Sequence, residues 1–384
     1  MKKIVIIGAN DFQNPLIQKA KDLGYETHVF AWKDGAVGEA TADYFYPISI
    51  TEKEEILKEC RRIQPDGVVS IGSDLAVATV VYLQQQLGHR GNSTESVGVT
   101  TNKYEMRKAL KAAGIPVPLF VKTKGTDPKL EERVKKEGLR LPVIVKPTDR
   151  SGSRGIRKLT DWSKLSEAVE AAKKESFEHA AIVEEYLEGE EYSCESISWE
   201  GRHHCLAMTK KYTTGHPHFI ETAHLEPAML SEEQTETVTA CIQKALDALD
   251  IRYGASHGEF KIDEKGNVRI IEIGARMGGD CIGSHLVELS TGYDYLKMVL
   301  DIALGKEMDL TPKGKHGVSY VRFLFGREDL EELRRLQRES PRQICYVSKI
   351  QMEEGSQITD SSNRYGYYIM RFDCMSEARS VLRL

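Results

Sequence analysis

The first hundred residues alternate short apolar strands with helical segments, and this alternation constrains the fold more than any other feature. Strands are predicted over residues 4–7, 27–31 and 67–71, and helices over residues 15–23 and 53–63. Strands that alternate with helices in this way form a parallel sheet with helices on both faces. The beginning of the chain is therefore predicted to be an α/β domain.

A glycine-containing turn follows the first strand at Gly8-Ala-Asn. It lacks the complete G-x-G-x-x-G pattern, and no acidic residue follows at the position that would bind a ribose. The turn therefore gives only weak support for a dinucleotide-binding domain.

The next segments differ in pattern. A helix over residues 102–113 ends at Gly114, and two prolines follow, which is a stop signal. We place a domain boundary there. A small α/β unit with a strand over residues 141–145 comes next, and from residue 190 the pattern changes to antiparallel strands. Longer helices are predicted over residues 232–249 and 284–304.

A linker over residues 312–317 precedes a last α+β segment with a helix over residues 327–338 and a final strand over residues 365–370. The predicted domains are residues 1–113, 114–189, 190–312 and 313–384.

Composition limits the class of protein. The chain has 384 residues, of which 40% are hydrophobic and 29% charged, which is typical of a globular protein with several domains. No apolar stretch approaches the length of a membrane span. The seven cysteines show no CxxC spacing, which favours reduced thiols and a cytoplasmic location. The net charge of −5 gives no reason to expect nucleic acid or a membrane as a partner.

Two glutamates are predicted to face each other on a hairpin. Strands are expected over residues 257–262 and 268–273, around the turn sequence Asp263-Glu-Lys-Gly-Asn. With residues 264–267 as the loop, Glu259 lies opposite Glu272, with Cβ atoms roughly 5 Å apart. Like charges at that distance destabilise a sheet unless a cation lies between them or one carboxylate is protonated, and carboxylate oxygens suit Mg²⁺. The alternative is a solvated hairpin with two surface glutamates.

A lysine ends the next informative strand. Lys146 and Pro147 close the apolar run Val143-Ile-Val and precede the loop Thr148-Asp-Arg-Ser-Gly-Ser-Arg-Gly. Backbone N–H groups of such a loop can surround a phosphate, and the lysine adds a point charge. The loop is not a Walker A motif, and an ordinary solvated turn is the alternative.

An acidic segment follows about thirty residues later at Ile182-Val-Glu-Glu-Tyr-Leu-Glu-Gly-Glu-Glu-Tyr. An apolar strand that continues into a carboxylate-rich hinge can offer backbone groups to a base and a carboxylate to a ribose. Alone it is weak evidence.

In chain order, the strand that ends in Lys146-Pro147, the glycine-rich loop, the acidic segment and the Glu259–Glu272 hairpin together resemble the ATP-grasp superfamily of carboxylate–amine or carboxylate–thiol ligases, over roughly residues 1–310. The segment Glu272-Ile-Gly-Ala-Arg-Met-Gly-Gly-Asp is similar to the branch with bacterial L-amino-acid ligases. The tail Asn363-Arg-Tyr-Gly-Tyr resembles the small C-terminal module of that branch. The resemblance implies an ATP-grasp fold in which a Rossmann-like preATP-grasp domain comes first.

The resemblance also implies roles for individual residues. Lys103 and Lys146 would bind the ATP phosphates, under a lid formed by Ser151, Gly152, Ser153 and Gly155. Glu184 would face the adenine amino group, Tyr186 and Leu187 would supply backbone contacts, and Glu191 would hold the ribose. Glu259 and Glu272 would hold Mg²⁺, with Mn²⁺ as an alternative ion. Arg276 would stabilise the acyl phosphate, and we name it with Lys146 as catalytic.

One position departs from the family pattern. Many members have Asn two residues after the second glutamate, as a further metal ligand, and this chain has Gly274. The number of metal ions therefore stays open. Glu259 stands where some branches have aspartate, which is compatible with Mg²⁺.

The substrate-binding part of the sequence is less informative. His216, His218, His224 and His257 lie near the predicted site, and a histidine could deprotonate an amine near neutral pH. A metal site at His216 and His218 lacks a convincing third ligand, so exposed-loop histidines are the favoured interpretation. Asp280, beyond Gly278 and Gly279, is a candidate for binding an ammonium group.

The implied function is an ATP-dependent, ADP-forming ligase that joins a small carboxylate, such as an amino acid, to an amine. The first alternative is an ATP-grasp enzyme of the purine-pathway type. The second is a nucleotide-binding sensor without catalysis. Small-molecule substrates are the expected partners, and the helices of the first domain are candidates for a homodimer interface.

Overall fold

The computed structural model describes residues 1–125, 127–352 and 358–383. Its strands form three sheets within these residues. The first is a four-stranded parallel sheet in the order β3-β2-β1-β4, as the alternation predicts. The elements of this part are β1 (Lys3–Ile7), α1 (Asn14–Asp22), β2 (Glu26–Phe30), α2 (Val37–Thr41), β3 (Tyr44–Tyr46), α3 (Lys53–Ile63), β4 (Gly67–Val69), α4 (Asp74–Leu87), α5 (Thr94–Thr101) and α6 (Lys103–Ala112).

The second sheet is small and antiparallel, with the order β5-β8-β6-β7. Two helices pack with it around a core that includes Val143, Val145 and Val183. Its elements are β5 (Phe120–Lys124), α7 (Leu130–Lys136), β6 (Val143–Pro147), β7 (Arg157–Leu159), α8 (Leu165–Glu175) and β8 (Ala180–Glu185). The two segments that resemble ATP-binding motifs are therefore neighbours, because β6 pairs with β8.

The third sheet has eight strands in the order β13-β12-β9-β10-β11-β14-β16-β15. Strand β14 pairs with β11, so the sheet continues across residue 312, where the sequence predicts a separate module to begin. Its elements are β9 (Glu190–Trp199), β10 (Arg202–Thr213), β11 (Glu221–Glu226), α9 (Glu232–Ala248), β12 (Gly254–Ile262), β13 (Val268–Gly274), α10 (Val287–Thr291), α11 (Tyr295–Ala303), β14 (Val318–Phe323), α12 (Arg327–Glu339), β15 (Ile344–Val347), β16 (Tyr367–Phe372) and α13 (Met375–Leu382).

Helix α11 joins the parallel sheet to the large sheet. Leu296 and Val299 on this helix share one core with Ile4 of β1 and with Ile197 of β9. Burial of apolar surface on both sides of one helix holds the two sheets together. The cleft described below depends on this arrangement.

The prediction of one continuous helix over residues 284–304 is wrong. A π-helical turn (Ile282–Leu286) leads into α10, which ends at Gly292 with φ of 77°. Asp294 then caps α11 by accepting a hydrogen bond from the Lys297 N–H at 3.1 Å. The apolar pattern continues through the break, so periodicity alone does not reveal it, whereas a left-handed glycine and a new cap end one helix and start another.

Candidate active site

A cleft with a volume of about 340 Å³ lies where the three sheets meet. This is within the size range of pockets for small molecules, roughly 300–1,000 Å³. One end, which we call the near end, is formed by the small sheet and α6. The other, the far end, is formed by the loops after β4, β13 and β10 and by the segment before β16. The predicted site residues that line the cleft are Lys103, Lys146, Ser151, Gly152, Ser153, Glu184, Tyr186, Leu187, Glu191, Glu259, Glu272 and Arg276.

The near end contains a buried cluster of three charged side chains. Glu184 Oε2 lies 2.6 Å from Lys146 Nζ, and Glu184 Oε1 lies 2.7 Å from Arg107 Nε. Arg107 also donates to the carbonyl oxygen of Ile271 on β13. Burial raises the pKa of Glu184, but Arg107 and Lys146 outweigh it and hold the pKa below its usual value. The Glu184 carboxylate is therefore ionised and fixed in orientation.

The hairpin of β12 and β13 pairs Glu259 with Glu272, as predicted, but by a different route. Beside the turn, Val268 pairs with Ile262 rather than with Asp263 as predicted. A β-bulge at Ile271 then restores the register, since Phe260 pairs with Ile270 and Glu259 with Glu272. The predicted register beside the turn is wrong, and the bulge compensates for it. A bulge re-aims the side chains beside it, which brings both carboxylates to the cleft.

Each of these two carboxylates already has a lysine partner. Lys103 Nζ lies 2.7 Å from Glu272 Oε1, and Lys211 Nζ donates to Glu259 Oε1. Burial raises the pKa of Glu259, but Lys211 and His257 outweigh it and hold the pKa well below the usual value. Burial would lower the pKa of Lys211, yet Glu259, Glu191 and Glu221 raise it well above normal. Both groups are charged at neutral pH.

The donor set fits Mg²⁺, because two opposed carboxylates on rigid strands are the hard oxygen ligands that this ion takes. Among the described residues, no group of three or more His, Cys, Asp and Glu side chains is arranged to hold a metal. The remaining positions around an ion would therefore belong to water and to the phosphate groups of a ligand.

The structure explains the glycine at position 274. A Cβ atom there would lie 3.0 Å from Asp74 Oδ1 and 3.2 Å from Arg276 Nε, closer than ordinary van der Waals contact. The space beside Gly274 is therefore occupied by the ion pair of Asp74 and Arg276.

That ion pair orients the predicted catalytic arginine. Arg276 donates from Nε to Asp74 Oδ1 at 2.8 Å and from Nη2 to Asp74 Oδ2 at 3.0 Å. Asp74 is the first residue of α4, and residues 70–73 connect it to the carboxyl end of β4. Bidentate pairs of this kind fix the plane of the guanidinium group. Arg276 therefore reaches the cleft in a defined orientation, set by the N-terminal domain.

A buried histidine lies behind Glu259. His257 Nδ1 contacts Glu195 Oε1 on the paired strand β9, and His257 Nε2 lies 3.2 Å from Glu259 Oε1. Glu195 Oε2 also accepts the Gly278 N–H at 2.9 Å. Burial lowers the pKa of His257, but Glu195 outweighs burial and raises it. Through Glu195, the histidine therefore links the Glu259 carboxylate to the turn after Arg276.

The far end is closed by a second bidentate ion pair. Arg364 donates to Asp280 Oδ2 at 2.9 Å and to Asp280 Oδ1 at 2.6 Å, and its guanidinium carbon lies 3.7 Å from the Phe323 ring centroid. Ser361 donates to Glu221 Oε2 at 2.9 Å. The Asp280 carboxylate, predicted as a candidate for ammonium binding, thus already has a cationic partner. The segment before β16 forms one wall of the cleft.

The glycine-rich loop spans the top of the cleft. Ser151, Gly152 and Ser153 line it, and the Ser153 hydroxyl donates to the Phe219 carbonyl at 3.1 Å, across to the loop between β10 and β11. Gly155 does not line the cleft. A Cβ atom at Gly155 would lie 3.1 Å from Pro147, so this residue is part of the packing at the base of the loop.

Tyr186 and Leu187 follow β8 at the near end, and each already uses a backbone group in a hydrogen bond within the protein. The Tyr186 N–H donates to the Pro142 carbonyl at 3.3 Å, and the Leu187 carbonyl accepts from Lys261 at 3.1 Å. Burial raises the pKa of Glu191, although Lys211 lies 3.4 Å away and opposes the rise. The adenine and ribose roles of Glu184, Tyr186, Leu187 and Glu191 stay predictions.

Of the four histidines, two are exposed and two are buried. His216 and His218 are exposed in the loop between β10 and β11, as favoured from sequence. His224 and His257 are buried and line the cleft. Burial lowers the pKa of His224, with Asp280 opposing.

Sequence reasoning missed several site residues. Arg107 follows Lys103 by four residues on α6, so the two share one face of the helix, and this spacing was a usable signal. Asp74 follows a parallel strand at its carboxyl end, where ligands bind in open α/β sheets, which was a second signal. Lys211 and Glu195 carry no comparable pattern. Arg364 lies in the tail motif Asn363-Arg-Tyr-Gly-Tyr, but its partner Asp280 comes from a distant segment that the motif does not indicate.

The remaining sequence expectations concern thiols and membranes. All seven cysteines lie within the described residues, and each is unpaired. In the described part of the chain, no helix has the length and apolar character that a bilayer crossing requires.

Comparison with known proteins identifies the class to which this cleft belongs. Residues 139–284 match the family described as the ATP-grasp domain. The chain carries an ATP-grasp domain, and the surrounding architecture is the ATP-grasp fold, which confirms the resemblance seen in the sequence.

Particular relatives are similar to the chain over different lengths. Alanine–anticapsin ligase of Bacillus subtilis (strain 168) is 26% identical over 280 residues, which are 67% of this chain and 58% of that protein. The chain spans less than two thirds of the length of this relative. The crystal structure of an L-amino acid ligase from Bacillus licheniformis covers 100% of this chain, and the chain covers 96% of it, at 22% identity and a TM-score of 0.82. Phosphoribosylglycinamide synthetase from Anaerococcus prevotii gives a TM-score of 0.77 at 19% identity, with 100% of this chain and 97% of that chain covered. The two solved structures show the shared fold.

Proposed function

We propose that the chain is an ATP-dependent carboxylate–amine ligase, which forms an amide and releases ADP and phosphate. Its carboxylate substrate is an amino acid or a similar small molecule. The observation that carries the proposal is the convergence of the Glu259–Glu272 pair, Lys103 and the oriented Arg276 in one cleft. The named amino-acid ligases among the relatives support the substrate class.

The near end would bind ATP. Lys103 and Lys146 carry the positive charge for its phosphate groups, and the loop with Ser151, Gly152 and Ser153 lies above them. Mg²⁺, or Mn²⁺ in its place, would be held by Glu259 and Glu272 and would neutralise charge on the phosphate groups.

The reaction has two steps. The carboxylate of the first substrate attacks the γ-phosphorus of ATP, which gives an acyl phosphate and ADP. The amine of the second substrate then attacks the acyl carbon, phosphate leaves, and the amide forms. Phosphoryl transfer of this kind needs mainly positioning and neutralisation of charge.

The residues of the far end would serve the second step. Arg276, held by Asp74, places a planar cation beside the oxygen atoms on which charge develops. The loop above the cleft excludes water, which would otherwise hydrolyse the acyl phosphate. The wall formed by Asp280 and Arg364 bounds the substrates on the side away from ATP.

The purine-pathway alternative is less well supported. The relatives named as amino-acid ligases favour an amino acid as the carboxylate substrate, whereas phosphoribosylglycinamide synthetase supports this alternative only through its shared fold. The sensor alternative has no support from Gly274, because the Asp74–Arg276 pair explains that residue.

A coupled assay for ADP release tests the proposal. Wild type would be assayed with Mg·ATP and with separate pools of amino acids, hydroxy acids and bicarbonate, beside Glu272→Ala, Arg276→Ala and the control Glu264→Ala in the exposed hairpin turn. We expect amino-acid-dependent release that falls on the order of 10²–10³-fold in the first two variants. Control activity should equal wild type. Release stimulated only by bicarbonate would refute the amino-acid substrate, and wild type that does not bind Mg·ATP would refute the proposal.

A further inference from the structure

A junction of four chain segments lies at the base of the glycine-rich loop, outside the cleft itself. The segments are the N-terminus of α6, strand β5, the turn after β6 and the turn before β8. The Glu178 carboxylate connects them. Its Oε1 accepts from Asn102 Nδ2 at 2.8 Å and from Thr148 Oγ1 at 2.7 Å, and Lys122 Nζ lies 2.8 Å from the same oxygen.

Backbone hydrogen bonds reinforce the junction. The Lys103 N–H donates to the Thr148 carbonyl at 2.7 Å. The Asp149 carboxylate accepts from the N–H groups of Phe177 and Glu178, at 3.0 Å and 2.9 Å. The last residues before the glycine-rich loop are therefore tied both to α6 and to the turn before β8.

The phosphate-binding lysine depends on this arrangement. Asn102 caps α6 by accepting from the N–H groups of Tyr104 and Glu105, and the next residue, Lys103, extends its ammonium group to the Arg150 carbonyl at 2.9 Å. One carboxylate thus fixes the residue before Lys103 and the residue at the start of the loop.

The charge on Glu178 is secure at neutral pH. Burial raises its pKa, but hydrogen bonds from Lys122, Thr148 and Asn102 outweigh burial and lower the pKa to about 2. A charged acceptor forms stronger hydrogen bonds than a neutral one, so the three donors are held firmly. Among the described residues, the hydrogen-bond partners of Glu178 include neither Glu259 nor Glu272. Its charge therefore does not depend on a metal ion held by those two carboxylates.

We propose that Glu178 is a positioning residue that fixes the base of the glycine-rich loop to α6, so that the loop covers the ATP phosphate groups with Lys103 in place. The inference rests on the proposed nucleotide site but not on the identity of the carboxylate or amine. Misplacement of such groups by small distances has large effects on binding and rate.

The test uses the full-length chain, with Mg·ATP as the probe. Mg·ATP affinity would be measured by calorimetry, and trypsin cleavage after Arg150 and Arg154 in the loop would be followed with and without Mg·ATP. The variants are Glu178→Gln and Thr148→Val, which lose a charge or a hydroxyl at nearly constant shape. Thr148→Ser keeps the hydroxyl. Asp66→Asn is the control for the loss of a carboxylate, because Asp66 pairs with Lys2 beside the first sheet.

We expect Glu178→Gln and Thr148→Val to weaken Mg·ATP binding about tenfold, which is the size of one lost hydrogen bond to a charged group. At an Mg·ATP concentration near the wild-type Kd, protection of Arg150 and Arg154 from trypsin should be weaker in these variants than in wild type. Thr148→Ser and Asp66→Asn should behave as wild type. A purely structural role would lower the unfolding temperature without changing the affinity measured well below it.

The outcomes separate this inference from the proposed function. Wild-type affinity and loop protection in Glu178→Gln would overturn the inference alone. Wild type that fails to bind Mg·ATP would overturn both. Weakened Mg·ATP binding in a protein that no amino acid stimulates would support the positioning role and refute only the proposed substrate class.

Discussion

The two ends of the cleft hold their charged groups in different ways. At the near end, Arg107, Glu184 and Lys146 are almost completely buried, with exposed side-chain fractions of 0%, 4% and 7%. At the far end, Asp74 and Asp280 are 19% and 20% exposed and Arg276 is 15% exposed, whereas Arg364 is 5% exposed. Ions removed from water must be paired completely, whereas partly exposed ions can exchange a partner for a ligand.

This difference indicates that the two ends of the cleft have different roles. The near end is fixed before any ligand binds, as expected for a site that always receives the same nucleotide. The far end is built from bidentate pairs between distant segments, since Asp74 and Arg276 are 202 residues apart and Asp280 and Arg364 are 84 apart. We propose that substrate specificity belongs to this more accessible end.

The strongest test of the near end is Arg107→Met, which leaves Glu184 with one cationic partner. Breaking a buried ion cluster by removing one member costs about 3–5 kcal/mol, so we expect the free energy of unfolding in urea to fall by that amount. Lys108→Met, at the adjacent residue with an exposed ion pair to Glu105, is the control and should not change it. A loss no larger than in the control would show that the near end is not a preset ionic cluster.

At the far end, Arg364→Met removes the cation and keeps apolar contact with Phe323. Because Asp280 then loses its bidentate partner, we expect the KM for the amino acid to rise about tenfold while the KM for ATP is unchanged. Asp280→Asn should give a similar result, and the double variant little more, since both remove the same interaction. The control is Arg371→Met, because Arg371 lies on β16 and pairs with the exposed Asp373. An equal rise in the KM for ATP would contradict the division between the ends.

The last comparison concerns Glu226, on β11 behind the far end. Unlike Glu184, it has only hydroxyl partners, Thr209 at 2.6 Å and Ser290 at 2.5 Å, and burial raises its pKa to about 8. An unfolded glutamate has a pKa of about 4.3. The folded state therefore binds the extra proton between these values, and stability falls as pH rises through that window.

Glu226→Gln replaces the protonated acid with a neutral amide. Between pH 6 and pH 8 we expect the free energy of unfolding to fall in wild type by up to about 2 kcal/mol more than in the variant. Urea unfolding at both pH values measures the difference, in which titration of other groups cancels. Parallel curves for the two proteins would mean that Glu226 is ionised in the folded state.

The motifs of the near end were readable because each lies within a short segment. Lys146 and the glycine-rich loop are contiguous, and Glu184 to Glu191 follow one strand. Arg107, which forms an ion pair with Glu184, is harder to predict. Its four-residue spacing from Lys103 nevertheless places both side chains on the same face of α6.

The Glu259–Glu272 pair shows how far local pattern can be followed. Turn chemistry predicts the hairpin, and alternation predicts which residues face the cleft. The bulge at Ile271 was not predictable, because it depends on packing rather than on the turn. The correct pair resulted from two compensating one-residue shifts.

The sequence by itself determined the parallel α/β domain, the order of the ATP-grasp elements and the residues that line the near end, because strands, turns and glycine-rich loops follow from local patterns. Only the tertiary structure decided the partners of the charged groups: Lys211 with Glu259, Asp74 with Arg276, Arg364 with Asp280, and Glu178 with the base of the loop. Ion pairs and hydrogen bonds act over a few ångströms in space. The separation of two residues in the sequence therefore does not show whether they form such a contact.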